Sequence, residues 1–83
     1  MGVVAVFDRV LYAQIIPDVR KNVPNVRLRD AWVWKAGKDH WEFHYRDFYW
    51  HGSASGAYEA RYMGWSAYLE SVGAEGYRKE EVR

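Results

Sequence analysis

The segment that specifies the sheet of this protein runs from residue 31 to residue 50 and reads AWVWKAGKDHWEFHYRDFYW. Side chains alternate in character on both sides of Gly37-Lys38, as they do in paired antiparallel strands. A glycine at the first central position of a two-residue loop suits a type II′ hairpin turn. The register that follows from this turn pairs Trp34 with Trp41 and Trp32 with Phe43, with all four rings on one side of the sheet.

A second reversal of the chain is predicted at Arg46-Asp47 and adds a third antiparallel strand. It places Tyr45 opposite Phe48 and Phe43 opposite Trp50. Arg-Asp is unusual chemistry for a tight primed turn, so a loop one or two residues longer is an alternative. Together the two hairpins predict one aromatic row across three strands, formed by Trp32, Phe43 and Trp50.

Helices are predicted before and after the sheet. Apolar residues recur at helical spacing over residues 3–15, although their β-branched content leaves a strand as the alternative. Pro17 and Pro24 bracket a segment interpreted as one helical turn followed by an extended exit. The turn-forming residues 52–56 precede a helix that continues to about Val72, with Gly73 as its C-cap. The expected fold is α+β, a three-stranded antiparallel sheet packed on the C-terminal helix, in the order αβββα.

The C-terminal helix carries two different stripes. Its small side chains are Ala57, Ala60, Gly64, Ala67 and Ser71, and they would let the helix approach a sheet face crowded with aromatic rings. Its large side chains are Tyr58, Tyr62, Trp65 and Leu69. A stripe of this kind is usually core, and the N-terminal helix is available to cover it. If that helix packs elsewhere, the large stripe becomes a partner-binding surface.

The composition is that of one globular domain. The chain has 83 residues, of which 18% are aromatic, and this aromatic content is enough to build a core in so short a chain. Residues 1–75 are expected to form the domain, with a frayed polar tail at 76–83. The absence of cysteine excludes disulfides, thiolate metal sites and cysteine nucleophiles. The apolar start is too short for a signal peptide or a membrane span, which favours a cytoplasmic location.

Basic residues are concentrated in the first half of the chain. Residues 1–46 carry eight Lys and Arg against five acidic residues, although the whole chain has a net charge of only +1. The predicted register turns one side of the sheet outward, and its members are Arg27, Arg29, Val33, Lys35, His40, Glu42, His44, Arg46, Tyr49 and His51. Cations beside aromatic rings suit phosphate contact and base stacking. The nucleic-acid-binding residues expected on this side are Arg27, Arg29, Lys35, His44, Arg46 and Tyr49.

Neither a metal site nor a catalytic site is expected. His40 and His44 lie about 13 Å apart along one strand, too far to share an ion. His51 would lie opposite Glu42, which makes a cross-strand polar pair. No nucleophile elbow, phosphate loop or paired acidic cleft is present in the sequence, so we expect no cofactor and no enzymatic activity.

The region from Ala31 to Leu69 resembles the three-stranded-sheet-plus-helix modules of plant AP2 domains and of the arm-type DNA-binding domains of phage integrases. The residues that carry the resemblance are Trp32-Val33-Trp34, Gly37, Trp41-Glu42-Phe43, Phe48-Tyr49-Trp50 and the small residues of the C-terminal helix. Those families lay the sheet in the DNA major groove. The order αβββα is also similar to double-stranded-RNA-binding domains, but this chain has Ser55-Gly56-Ala57-Tyr58 where that family has a Lys-Lys pair.

Two functions therefore remain as expectations. The first is a nucleic-acid-binding accessory domain, with DNA favoured over RNA, that uses the open side of the sheet. The second is a protein-interaction module, for which the compact, Trp-rich chain is similar to small accessory proteins of phages and mobile elements that inhibit host protein complexes. The second function would use Tyr58, Tyr62, Trp65 and Leu69, or the open side of the sheet. A homodimer through the same helix stripe is a third alternative.

Overall fold

The computed structural model describes residues 9–73, and its elements follow the predicted order αβββα. The elements are helix α1 (Arg9–Asn22), a short 3-10 turn (Leu28–Asp30), strands β1 (Ala31–Gly37), β2 (His40–Tyr45) and β3 (Phe48–Ser53), and helix α2 (Ala57–Ser71). The α+β class is thereby confirmed. The predictions for residues 3–8 and for the tail at 76–83 lie outside the described residues.

Helix α1 continues through Pro17 to Asn22, whereas the sequence predicted that it would end near residue 15. A proline inside a helix removes one backbone hydrogen bond and crowds the preceding turn. Ile15 and Val19 lie one helical turn apart on either side of Pro17, and both are buried in the core. The helix persists because this tertiary packing outweighs the local cost of the proline.

The hairpin formed by β2 and β3 has the predicted register. Tyr45 pairs with Phe48 and Phe43 pairs with Trp50, across a turn that consists of Arg46 and Asp47 alone. Arg46 has a φ of 56°, the left-handed conformation that a tight primed turn requires at this position. The longer loop is therefore not needed.

The hairpin formed by β1 and β2 differs from the prediction by one residue. The turn is Lys38-Asp39, Asp39 takes a φ of 58°, and a β-bulge between Lys35 and Gly37 absorbs Ala36. The observed pairs are Trp32 with His44, Val33 with Phe43, Trp34 with Glu42, and Lys35 with Trp41. A shift of one residue exchanges the two sides of a strand. Trp32 and Trp34 consequently lie on the side of the sheet away from α2, and the row across the strands is Val33, Phe43 and Trp50.

The aromatic core explains why valine rather than tryptophan faces α2 from β1. The ring of Trp65 lies 5.1 Å from that of Phe43 and 5.0 Å from that of Tyr45, all measured between centroids. Phe43, Tyr45 and Trp65 are fully buried. Further large rings in a layer this full would overpack it, which is destabilising. Val33 fits beside Phe43, and the two tryptophans of β1 are left outside.

Helix α2 approaches the sheet through its small side chains, as predicted. Ala60 and Gly64 are buried, and a β-carbon at Gly64 would overlap the ring of Phe43. Gly73 follows the C-cap residue Val72 with a φ of 72°, so the glycine predicted to cap the helix takes the left-handed conformation that ends it. Helix α1 packs on α2, and its buried residues Ile15 and Val19 belong to the same core cluster as Phe43, Tyr45 and Trp65.

Candidate functional site

The sheet presents an open side, which we call the outer face: Trp32 and Trp34 of β1, His40, Glu42 and His44 of β2, and Tyr49 and His51 of β3. Its largest side chains are exposed to solvent. Trp32 retains 65% of its accessible surface, Tyr49 retains 46% and Trp34 retains 42%. Exposed large rings concentrated on one face of a small domain are typical of an interaction surface.

Five of these side chains form a continuous row of rings across the three strands. The indole of Trp34 stacks on His44, with 4.5 Å between centroids and 17° between planes, and His44 lies 4.5 Å from Tyr49. The row continues from Tyr49 to His51 at 5.4 Å and from His51 to His40 at 5.2 Å. Cross-strand contacts of this kind hold side chains in fixed positions, so the row is a preorganised surface.

Glu42 supplies the negative charge beside the row of rings. Its Oε1 atom lies 3.5 Å from Nε2 of His44, which makes no hydrogen bond and is shielded from solvent. The pKa of Tyr49 is raised above its usual value, first by partial desolvation and then by the charge of Glu42, which also accepts the phenol hydrogen bond. Tyr49 therefore stays a neutral hydrogen-bond donor at physiological pH.

A shallow depression of about 480 Å³ lies at the β1 end of the outer face. Its lining residues are Asp30, Trp32, Trp34, His44 and Arg46. The guanidinium of Arg46 lies 5.0 Å above the ring of Tyr45, so a cation–π contact orients it. Asp30 Oδ2 lies 3.8 Å from Nε of Arg27. The depression therefore has an indole-rich floor with one cation and one carboxylate at its border.

The structure brings together only part of the predicted nucleic-acid-binding set. His44 and Tyr49 lie on the outer face, and Arg46 borders it from the turn. Lys35 and Val33 lie on the opposite side of β1, because the bulge at Ala36 reverses the expected orientation of that strand. Arg27 and Arg29 belong to the segment before β1, where Arg27 contacts Asp30.

Trp32 and Trp34 are the outer-face residues that the sequence analysis missed. Both tryptophans were predicted to lie in the core, because Gly37 suggested a turn at Gly37-Lys38, one residue before the observed turn at Lys38-Asp39. The signal that could have located them is Asp39, since aspartate tolerates the left-handed conformation that the observed turn requires there.

The predicted placement of His51 opposite Glu42 is confirmed. The hydrogen bond of its side chain, however, is made to His40.

The alternative partner-binding surface on α2 needs a correction. Trp65 and Leu69 are fully buried in the core cluster that also contains Ile15 and Val19 of α1, so neither is available to a partner. Tyr62 is half-buried and packs against the same core. Tyr58 is partly exposed, with its ring 5.9 Å from that of Tyr12 and 4.7 Å from the guanidinium of Arg9. The large stripe is therefore divided: Tyr58 contacts α1, whereas Trp65 packs against Phe43 and Tyr45 of the sheet.

Two negative findings concern residues 9–73. No group of three or more His, Cys, Asp and Glu side chains is placed to hold a metal ion within this range. No helix in the same range is long and apolar enough to cross a bilayer.

Comparison of the chain with protein-family models, curated proteins and solved structures finds no match. The resemblances to AP2, integrase and double-stranded-RNA-binding domains therefore stay predictions.

Proposed function

We propose that this domain is a non-catalytic binding module that recognises a protein partner through its outer face. The observation that carries the proposal is the exposure of Trp32, Trp34 and Tyr49 on one side of a rigid sheet, next to Arg46. Trp, Tyr and Arg are the residues that most often dominate protein–protein binding energies. A small rigid domain with such a face is suited to occlude a surface of its partner, as an inhibitor of a host protein complex would.

The charges favour a protein over a nucleic acid as the partner. Nucleic-acid affinity comes largely from several Lys or Arg contacts to phosphates. On and beside the outer face, Arg46 is accompanied by the carboxylates of Glu42 and Asp30, and Lys35 lies on the other side of the sheet. A surface that is aromatic and nearly neutral resembles the centre of a protein interface, where charged residues are depleted.

The chemistry of the depression indicates what the partner presents. The floor formed by Trp32 and Trp34 fits an apolar side chain, and Arg46 at the border fits a carboxylate. We therefore expect a partner surface on which an exposed apolar residue lies next to an acidic one. The hydroxyl oxygen of Tyr49, whose proton is directed to Glu42, can accept a further hydrogen bond from the partner.

The decisive test compares two sets of exposed aromatic residues. Partners are captured from the cell of origin with the wild-type domain, and the purified partner is then titrated with Trp32→Ala/Trp34→Ala and with Tyr58→Ala. We expect the double variant to bind at least about tenfold more weakly, the loss that one hot-spot residue typically causes. Tyr58→Ala, a partly exposed ring on α2, should bind like wild type.

Equal affinity of the wild type and the Trp32→Ala/Trp34→Ala variant would overturn the proposal. Both variants should remain folded and unfold cooperatively, because Trp32, Trp34 and Tyr58 lie outside the core cluster. Light scattering of the free domain identifies a homodimer, in which case the second copy is the partner and the double variant should be monomeric.

Nucleic-acid binding is the second candidate, and the row of rings beside Arg46 favours it, because bases stack on aromatic side chains irrespective of sequence. Titration with labelled single-stranded and duplex DNA and RNA tests it. Affinity that falls on the order of tenfold or more between about 50 and 200 mM salt would indicate several phosphate contacts. Charge reversal at Arg29 and Arg46 should then abolish binding. Absence of binding at low salt would remove this candidate.

A further inference from the structure

The far end of the outer face holds a pair of histidines that partner recognition does not explain. Nδ1 of His51 lies 3.2 Å from Nε2 of His40, and the ring centroids are 5.2 Å apart. His40 pairs in register with Ser53, so His51 is its diagonal neighbour on the adjacent strand. Two strands of the sheet thus bring two imidazole nitrogens to one point.

This spacing matches that of two ligands on one metal ion. Zinc–nitrogen bonds are 2.0–2.1 Å long and tetrahedral, so two imidazole nitrogens on the same zinc lie about 3.3–3.4 Å apart. In the metal-free protein these two nitrogens share a hydrogen bond, whose donor depends on the tautomers of the two rings. To bind an ion, the donor ring would take its other tautomer, with its proton on the nitrogen that faces away, and each ring would turn until its lone pair points at the metal.

We propose that His40 and His51 form a two-histidine site for a divalent transition-metal ion of the Zn²⁺, Ni²⁺ or Cu²⁺ class, which imidazole prefers. Glu42 lies directly opposite His51 in register and adds a negative charge on the same face. No third His, Cys, Asp or Glu within residues 9–73 completes a cluster. The remaining coordination positions are therefore open to water or to a donor from a bound partner.

A metal ion bound at this site would stabilise the fold. His40 begins β2 and His51 lies in β3, so a shared ion would cross-link the two strands at the open end of their hairpin. An ion that binds the folded but not the unfolded chain raises stability in proportion to the logarithm of its concentration. The inference is independent of the partner proposal, because it concerns only the free domain.

The test is thermal unfolding of the EDTA-treated protein, with and without Zn²⁺. At a concentration about tenfold above the dissociation constant, we expect Zn²⁺ to raise the melting temperature by roughly 5–10 °C. The rise should disappear in His51→Gln and in His40→Gln. It should persist in His44→Gln, which removes a histidine from the same face. Mg²⁺ prefers oxygen ligands and should have no effect.

A second measurement distinguishes a lost site from a damaged fold. In proton NMR spectra of the wild type, Zn²⁺ should shift the ring signals of His40 and His51 and leave those of His44 in place. The proposal is wrong if Zn²⁺ leaves the melting temperature of the wild type unchanged, if His51→Gln retains the full rise, or if the shifted signals belong to His44.

Discussion

At the scale of single residues, Gly64 sets the distance between α2 and the sheet. The ring of Phe43 occupies the space that a side chain at Gly64 would need, and both residues are buried. Gly52 plays a similar part in β3, where a β-carbon would come within 2.6 Å of Cζ2 of Trp50. The aromatic core therefore depends on glycine at these positions, because the large rings fill the space that a neighbouring side chain would otherwise occupy.

Gly64→Ala should lower the free energy of unfolding by about 1–3 kcal/mol, because the added methyl group overpacks the contact with Phe43. The loss should appear even though alanine is the better helix former by about 1 kcal/mol. Urea denaturation measures it. Gly56→Ala is the matched control: a β-carbon there meets nothing within 4 Å, so we expect a change below about 1 kcal/mol. Equal stability of Gly64→Ala and wild type would contradict the role assigned to this glycine.

At the scale of elements, α1 is a helix that its own sequence disfavours. Pro17 lies in its interior, and the hydrogen bond from the Asn22 side chain to the carbonyl of Asp18 closes its last turn. Its two buried residues, Ile15 and Val19, contact the core that α2 and the sheet share. Most helical stability in proteins comes from such packing rather than from propensity. The element is therefore held by its neighbours more than by its local sequence.

Pro17→Ala should stabilise the domain, because it restores a backbone donor and removes the clash with the preceding turn. The full difference between the two residues in a helix interior is about 3 kcal/mol, and we expect a gain of about 1–2 kcal/mol after relaxation of the helix. Urea denaturation measures the gain, and circular dichroism should show helix content no lower than that of wild type. A loss of stability would mean that the proline is needed to shape α1 for its contact with α2.

At the scale of the whole molecule, aromatic residues occupy both sides of one small sheet with different consequences. Towards α2 they are buried and form the core, and on the outer face Trp32, Trp34 and Tyr49 remain exposed. The hydroxyl oxygen of Tyr45, a core residue, accepts a hydrogen bond from the backbone N–H of Arg27, and the ring of Tyr45 lies beneath the guanidinium of Arg46. The core thus also orients the cation at the border of the candidate site.

Alkaline pH should destabilise the domain through its tyrosines. Tyr68 has a raised pKa because of burial and, secondarily, the charge of Tyr45, while Arg46 acts in the opposite direction, and the pKa of Tyr49 is raised as well. The folded state therefore holds these protons more tightly than the unfolded chain. Their contribution to stability is complete below about pH 10 and is lost as the pH rises through the raised values.

Urea midpoints measured from neutral pH upward should reveal this loss. We expect the midpoint of the wild type to fall above about pH 10 more steeply than that of a Tyr49→Phe/Tyr68→Phe variant, because the variant lacks both shifted groups. The two curves should run parallel near neutral pH, where all tyrosines are protonated. Identical slopes above pH 10 would show that these two side chains do not govern the alkaline transition.

Local signals in the sequence were enough to predict the element order, the β2–β3 hairpin and the sheet-facing side of α2. These signals are local in the sequence: the alternation over β2 and β3, the glycines and serines before α2, and the small residues along α2. They were insufficient for α1, because the burial that carries the helix past Pro17 comes from residues far away in the chain. For the large stripe of α2, helical spacing favoured the core, and the burial of Trp65 and Leu69 confirms this for those two residues.

The candidate site shows most clearly the difference between what local sequence patterns predict and what tertiary packing determines. Alternation alone establishes that Trp32 and Trp34 share one side of β1, and that His44 and Tyr49 share a side with Glu42 and His51. It cannot establish which side of β1 matches which side of β2, since one bulged residue at Ala36 reverses the answer. The folded core settled that choice: the space beside Phe43 and Trp65 fits Val33, so the two tryptophans face solvent, where a partner can reach them.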